Sequence, residues 1–127
     1  MKGKHVYLAG GFHSGWQDRV IQQAPHFSYI DPRKHNLTES SEYTAWDLFA
    51  IRLCDIFFAY LEFSNPAGYA LSLELGYAKA LGKLIILVDE KTPMVRSGDV
   101  RYFAMLRHAA DITFDSFEKG LQFLETL

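Results

Sequence analysis

Asn65-Pro66-Ala67-Gly68-Tyr69-Ala70-Leu71-Ser72-Leu73-Glu74-Leu75-Gly76-Tyr77-Ala78-Lys79-Ala80-Leu81-Gly82-Lys83, followed directly by Leu84-Ile85-Ile86-Leu87-Val88, reads as a loop, a helix, a sharp stop and a buried strand. Asn65 is suited to cap the helix, Pro66 fits a first turn where its missing N–H costs nothing, and Gly82 suits the left-handed position that ends it. Leu71, Leu75, Ala78 and Leu81 recur at helical spacing, and Leu73, Tyr77 and Ala80 add a second apolar face. The pattern predicts a helix of about four turns, covered on most sides. Glu74 sits inside this apolar run. Its helical neighbours Ala70, Leu71, Tyr77 and Ala78 carry no positive charge, so no salt bridge along the helix accounts for it. Two readings stand: a narrow polar stripe with Ser72 or Lys79, or a carboxylate at the edge of a pocket, available for chemistry.

The same alternation extends to both sides. Upstream, His5-Val6-Tyr7-Leu8-Ala9 is a short apolar run emptying into Gly10-Gly11, and residues 14–24 carry Trp16, Val20 and Ile21 at helical spacing, with Ser14 as cap and Pro25 as stop. Residues 27–30 read as a second strand, 34–42 as a long polar loop, and 43–53 as a helix with Trp46, Phe49, Ala50 and Leu53 on one face and Asp47 beside it. Residues 56–61 form a third strand. Downstream of the fourth strand, Asp89-Glu90-Lys91 is expected to return the chain to solvent. A helix over 100–108, a strand over 111–114 and a closing helix over 116–127 follow. Strands alternating with helices demand right-handed crossovers and a parallel sheet covered on both faces. The expected fold is therefore α/β, a flavodoxin-like doubly wound five-stranded parallel sheet of order 2-1-3-4-5. That topology puts ligands at the carboxyl ends of strands 1 and 3, where Gly10, Gly11, Phe12 and residues 62–68 lie.

With 127 residues and 49% apolar composition, the chain can bury a core as one domain, 1–127. A net charge of −2 with interspersed signs excludes the basic footprint of a nucleic-acid binder. The single cysteine, Cys54, excludes an intrachain disulfide framework. No apolar run approaches the roughly 20 residues of a membrane span, and Met1-Lys2-Gly3-Lys4 leads into a strand rather than a signal sequence, so a soluble, cytoplasmic protein is expected. His5, His13, His26, His35 and His108 lack metal-ligand spacing, and no metal or other cofactor is expected.

Three segments resemble the nucleoside 2-deoxyribosyltransferases and the related 2'-deoxynucleoside 5'-phosphate N-hydrolases. Val6-Tyr7-Leu8-Ala9-Gly10 is similar to the family's first strand. Trp46-Asp47-Leu48 through Cys54-Asp55-Ile56 is similar to its Asp-bearing helix and the strand that follows. Glu74-Leu75-Gly76-Tyr77-Ala78 with Gly82-Lys83 is similar to its catalytic helix. The resemblance implies transfer of a 2-deoxyribosyl group between nucleobases by double displacement. Glu74 would be the nucleophile that forms a glycosyl-enzyme ester, Asp47 the group that manages the proton of the base, and Tyr7 the hydroxyl that orients Glu74. Gly10, Gly11, Phe12, Asn65, Gly68 and Arg33 would contact substrate, with His35 and Asn36 in the same long loop as Arg33. Asp55, at the opposite end of the sheet, is read as structural.

Taken alone, Tyr7 reads as a packed sheet side chain and Asp47 as a solvated helix residue; only the combination points to chemistry. Gly68 departs from the family pattern, which has an Asp or Ser six residues before the catalytic Glu. Phe103 falls where a neighbouring subunit would offer an Asn or Ser, which counts against 5'-phosphate specificity. Nucleosides and free nucleobases are the expected partners, and Tyr102 and Phe103 suggest a homo-oligomer, a dimer or higher. Two alternatives remain: N-glycosidic hydrolysis of a nucleoside or nucleoside 5'-monophosphate, and a non-catalytic nucleotide-binding module.

Overall fold

Five parallel strands form the sheet of this computed structural model, which describes residues 1–66 and 68–127. The elements are β1 (His5–Gly10), α1 (Trp16–Gln23), β2 (Ser28–Ile30), α2 (Ser40–Leu53), β3 (Ile56–Leu61), α3 (Tyr69–Ala80), β4 (Leu84–Asp89), α4 (Arg101–Ala109), β5 (Ile112–Phe114) and α5 (Phe117–Glu125). The strand order is β2-β1-β3-β4-β5, and every pairing is parallel. The doubly wound topology expected from the sequence is the one observed.

Side chains alternate across the strands and so build two cores. Val6, Leu8, Ile56, Phe58, Ile86 and Val88 meet Trp16 and Val20 of α1 and Leu121 and Leu124 of α5. On the opposite face, Tyr7, Ala9, Phe57, Ala59, Ile85 and Leu87 meet Ala50 and Ile51 of α2 and Leu71, Leu75 and Ala78 of α3. Burial of each valine, leucine, isoleucine and phenylalanine among them contributes about 1.5–3 kcal/mol, which holds the helices over the sheet. Cys54 is buried in this second core. Asp55 accepts the His5 backbone N–H at 2.8 Å, tying the start of β1 to the start of β3 at the edge away from the crevice.

Several local expectations are corrected. The central helix begins at Tyr69, with Gly68 as its left-handed N-cap (φ 76°), rather than at Pro66 behind an Asn65 cap; Ala67, between them, lies outside the described residues. Likewise Gly15, left-handed at φ 76°, precedes α1 in place of Ser14. In both cases a glycine turn supplies the entry angle that a side-chain cap was expected to supply. Helix α2 starts at Ser40, because its polar first turn buries little and so carries no apolar signal. Of the expected Trp46, Phe49, Ala50, Leu53 face, Ala50 is buried and Trp46 packs against the core, whereas Phe49 and Leu53 are 62% and 72% exposed; the inward stripe runs through Asp47, Ala50, Ile51 and the C-cap Cys54. The second face of α3 is open too, with Leu73 63% exposed. Finally, Asp89 does not return to solvent but is fully buried.

Candidate active site

The carboxyl ends of β1 and β3 open onto a cavity of about 300 Å³ lined by Gly10, Gly11, Asn65, Gly68, Tyr69, Ala70, Leu71 and Glu74. Two of the glycines in its wall pack against the framework too closely for a side chain. Gly10 has φ 154°, and a Cβ there would stand 2.7 Å from the Tyr60 carbonyl oxygen and 2.9 Å from the Trp16 ring. At Gly68 the backbone is left-handed and a Cβ would lie 2.8 Å from Leu61, so no side chain fits without displacement at the position where the family pattern carries Asp or Ser. The loop after β1 is held by two side chains: the Trp16 indole and the fully buried Gln17 amide each donate to the Gly11 carbonyl at 2.9 Å. The N-terminus of α3 ends at the same cavity, bringing the partial positive charge of the helix to its wall.

Glu74 lies in the inward stripe Leu71, Glu74, Leu75, Ala78 of α3, so the packing that buries its neighbours carries its carboxyl toward the sheet. There the Tyr7 hydroxyl donates a short hydrogen bond to Glu74 Oε2. Tyr7 is fully buried in β1 and stacks on Phe57 with ring centroids 5.6 Å apart, which fixes the direction of its hydroxyl. Burial raises the Glu74 carboxyl to about 7; the Tyr7 hydrogen bond opposes that rise and the charge of Asp47 adds to it. The Tyr7 phenol is held far above its usual range by burial and by the adjacent Glu74. Tyr7 therefore remains a hydrogen-bond donor at any working pH.

Asp47 occupies the corresponding place in the stripe of α2. A narrow gap of about 70 Å³, lined among others by Tyr43, Thr44, Asp47, Ala70 and Glu74, shares Ala70 and Glu74 with the main cavity, and Tyr43 and Asp47 with a second one of about 250 Å³ lined by Phe12, His35, Leu37, Tyr43 and Asp47. The result is a trough with Glu74 near its middle and Asp47 further along. Burial also raises the proton affinity of Asp47, against the influence of His35.

Asp47, Glu74, Gly10, Gly11, Phe12, Asn65 and Gly68 are thus brought to one trough, and Tyr7, buried behind its wall, meets it through its hydrogen bond to Glu74. Arg33 is not brought there. Its guanidinium is taken up by Asp31 at 2.6 Å and Asp18 at 2.8 Å, and it lines none of these cavities. Asn36 is exposed, in a left-handed turn. His35, between them in sequence, does reach the trough. Tyr43, unmarked in the sequence reading, reaches it as well; the signal that could have found it is its position one helical turn before Asp47.

A family profile described as "Nucleoside 2-deoxyribosyltransferase like" matches residues 3–92. Among solved structures, a 2-desoxiribosyltransferase from Leishmania mexicana is similar over 97% of this chain and 97% of its own, with 24% identity and a TM-score of 0.70. A CMP N-glycosidase from Clostridium botulinum is similar over 98% of this chain and 100% of its own, with 22% identity and a TM-score of 0.64. A conserved protein from Enterococcus faecalis shares 16% identity over 98% of this chain and 87% of its own, with a TM-score of 0.55. No curated protein matches the sequence significantly.

Proposed function

The chain belongs to the nucleoside 2-deoxyribosyltransferase-like family, and from that premise we propose that it transfers a 2-deoxyribosyl group between nucleobases through an ester on Glu74. The observation that carries the reading is the pairing of a buried, apolar-walled carboxyl with the Tyr7 hydroxyl at the side of an open cavity. A carboxylate freed of hydration and aimed by one donor is a competent nucleophile toward an electron-poor anomeric carbon. In the first step Glu74 forms the C–O bond as the bond from the anomeric carbon to the base nitrogen breaks. The bonding pair leaves with the base, and Asp47 supplies the proton that neutralises it. In the second step an incoming base gives its proton to Asp47, attacks the same carbon from the face the first base left, and releases Glu74.

The sugar fits the cavity beside Gly10, Gly11, Asn65 and Gly68, and the base the part of the trough between Phe12 and Asp47. Nucleosides and free bases are the partners this implies. Water can attack the same ester, so N-glycosidic hydrolysis is the rival outcome, and the similar Clostridium protein is named as a glycosidase. The uncovered apolar side chains of α2, α3 and α4, including Phe49, Leu73 and Met105, suit a homo-oligomer. No helix among the described residues is long and apolar enough to cross a membrane, and the unpaired Cys54 suits the cytoplasm.

The test is incubation with thymidine and adenine, then with other nucleoside and base pairs, with and without the acceptor. Appearance of deoxyadenosine supports transfer, and free base with free sugar in the absence of acceptor indicates hydrolysis. Folded protein that yields neither product across the series removes the proposal, whereas a ligand bound without turnover, equally by the parent and by Glu74→Ala, would mark a binding module.

A further inference from the structure

His35 presents an unusual constellation. It is 8% exposed, its ring lies edge-on to Trp46 at 4.7 Å, and its Nδ1 accepts the backbone N–H of Leu37 at 2.9 Å. An Nδ1 that accepts a hydrogen bond carries no proton, so the neutral ring carries it on Nε2. That nitrogen faces Asp47 Oδ1 at 3.3 Å. Both atoms are buried, yet among the described residues neither has a hydrogen-bond partner of good geometry. The donor and the acceptor stand within hydrogen-bonding distance at the wall of the trough but off the line of a well-formed bond, so the contact is a weak one in this structure.

We propose that His35 is a positioning residue for the reaction, with its Nε2–H set to stabilise the charge that appears on Asp47 when Asp47 gives its proton to the departing base. The inference rests on the proton-transfer role assigned to Asp47. When the bond from the sugar to the base breaks, the proton on the outer oxygen of Asp47 passes to the base nitrogen and Asp47 becomes a carboxylate. The Nε2–H then turns its contact with Oδ1 into a charge-assisted hydrogen bond without giving up its own proton. An interaction weak in the resting state and strong as charge develops lowers the barrier rather than merely tightening binding. The other titratable groups facing Asp47 are Glu74 from α3, Tyr7 from β1 and Tyr43 from its own helix; none of them is a cation.

Two substitutions separate the two ends of the ring. His35→Asn keeps an acceptor near Nδ1 for the Leu37 N–H but cannot reach Asp47, whereas His35→Gln places an amide N–H near the position of Nε2. The readout is the pH titration of the Asp47 carboxyl by ¹³C NMR of aspartate-labelled protein, its resonance assigned with Asp47→Asn. His35→Asn is expected to raise the Asp47 midpoint by about one pH unit and His35→Gln to leave it near the parent value. Equal midpoints in the two variants would overturn the proposal. In turnover, His35→Asn should lower kcat about tenfold with little change in KM and move the alkaline limb upward, and His35→Gln should restore both. A shifted midpoint in a protein that turns over no nucleoside would sink the deoxyribosyl reading and leave the contact standing; an active parent with an unmoved midpoint would do the reverse.

Discussion

Two regions at the carboxyl edge of the sheet hold buried carboxyls, and they treat them in opposite ways. Asp89, at the end of β4, accepts from the backbone N–H groups of Lys91 and Thr92 at 3.0 and 2.9 Å, from the Thr92 hydroxyl at 2.5 Å and from Arg107 at 2.7 Å. Among the described residues, Glu74 has the Tyr7 hydroxyl as its one side-chain donor, and Oδ1 of Asp47 has no bond of good geometry. A carboxylate with four donors has its lone pairs committed, and it pins α4 to the sheet. One with a single neutral donor and apolar neighbours retains both proton affinity and nucleophilicity. On the proposed reading, then, what separates the reacting acid from the structural one is not burial alone but the number and charge of its donors.

The contrast is broken most directly at Glu74. Glu74→Gln should lower turnover by on the order of 10⁴-fold while the circular dichroism spectrum stays that of the parent; activity retained within tenfold would show that the starved carboxyl is not the reacting one. At the other site, Arg107→Met strands Asp89 without its cation and should cost about 3 kcal/mol in urea unfolding, with kcat of the remaining folded enzyme nearly unchanged. A loss of kcat without a loss of stability would reverse the two assignments.

The difference also has a pH signature. Because folding raises the Glu74 carboxyl from the ordinary range to about 7, the folded protein holds a proton that the unfolded chain has released between about pH 4.5 and 7. Stability from this group is fully present below about pH 4.5, falls through that window, and levels off once the folded carboxyl ionises. Glu74→Gln should therefore match the parent near pH 4.5 and exceed it by up to about 3 kcal/mol at pH 8. Equal pH dependence of the two midpoints in denaturant would contradict this. Tyr7→Phe keeps the stack on Phe57 but removes the donor. It should raise the proton affinity of Glu74 further, shift the acidic limb of the rate profile above about 7, and lower kcat about 10- to 100-fold at neutral pH. The smallest effect is expected at Gly68→Ala, where left-handed backbone and a 2.8 Å approach to Leu61 should cost about 1–2 kcal/mol in thermal unfolding.

The sheet was legible because buried parallel strands leave unbroken apolar runs: Ile56–Leu61 appears with the bounds the sequence suggests, and Leu84–Asp89 extends its run by one residue. The faces of α2 were not. Phe49 and Leu53 are as apolar as the buried Ala50 and Ile51, and choosing between them requires knowing which neighbours exist. Asp89 was misread for a related reason, since its main partner, Arg107, arrives from a helix 18 residues away. Arg33 stands apart from the trough, its guanidinium held by two acidic side chains that no sequence spacing announced.

The order of strands, the two covered faces, the break at Gly82 and the anomalous Glu74 belong to the sequence by itself, because periodicity, turn chemistry and an unpaired acid among apolar neighbours are local facts. Tertiary structure alone decided that Tyr7 and Glu74, 67 residues apart, share a hydrogen bond, that Asp47 looks along the same trough, and that His35 stands behind it. The reason is physical: a carboxyl's donors and its distance from water are set by which elements pack together, and no spacing along the chain encodes them.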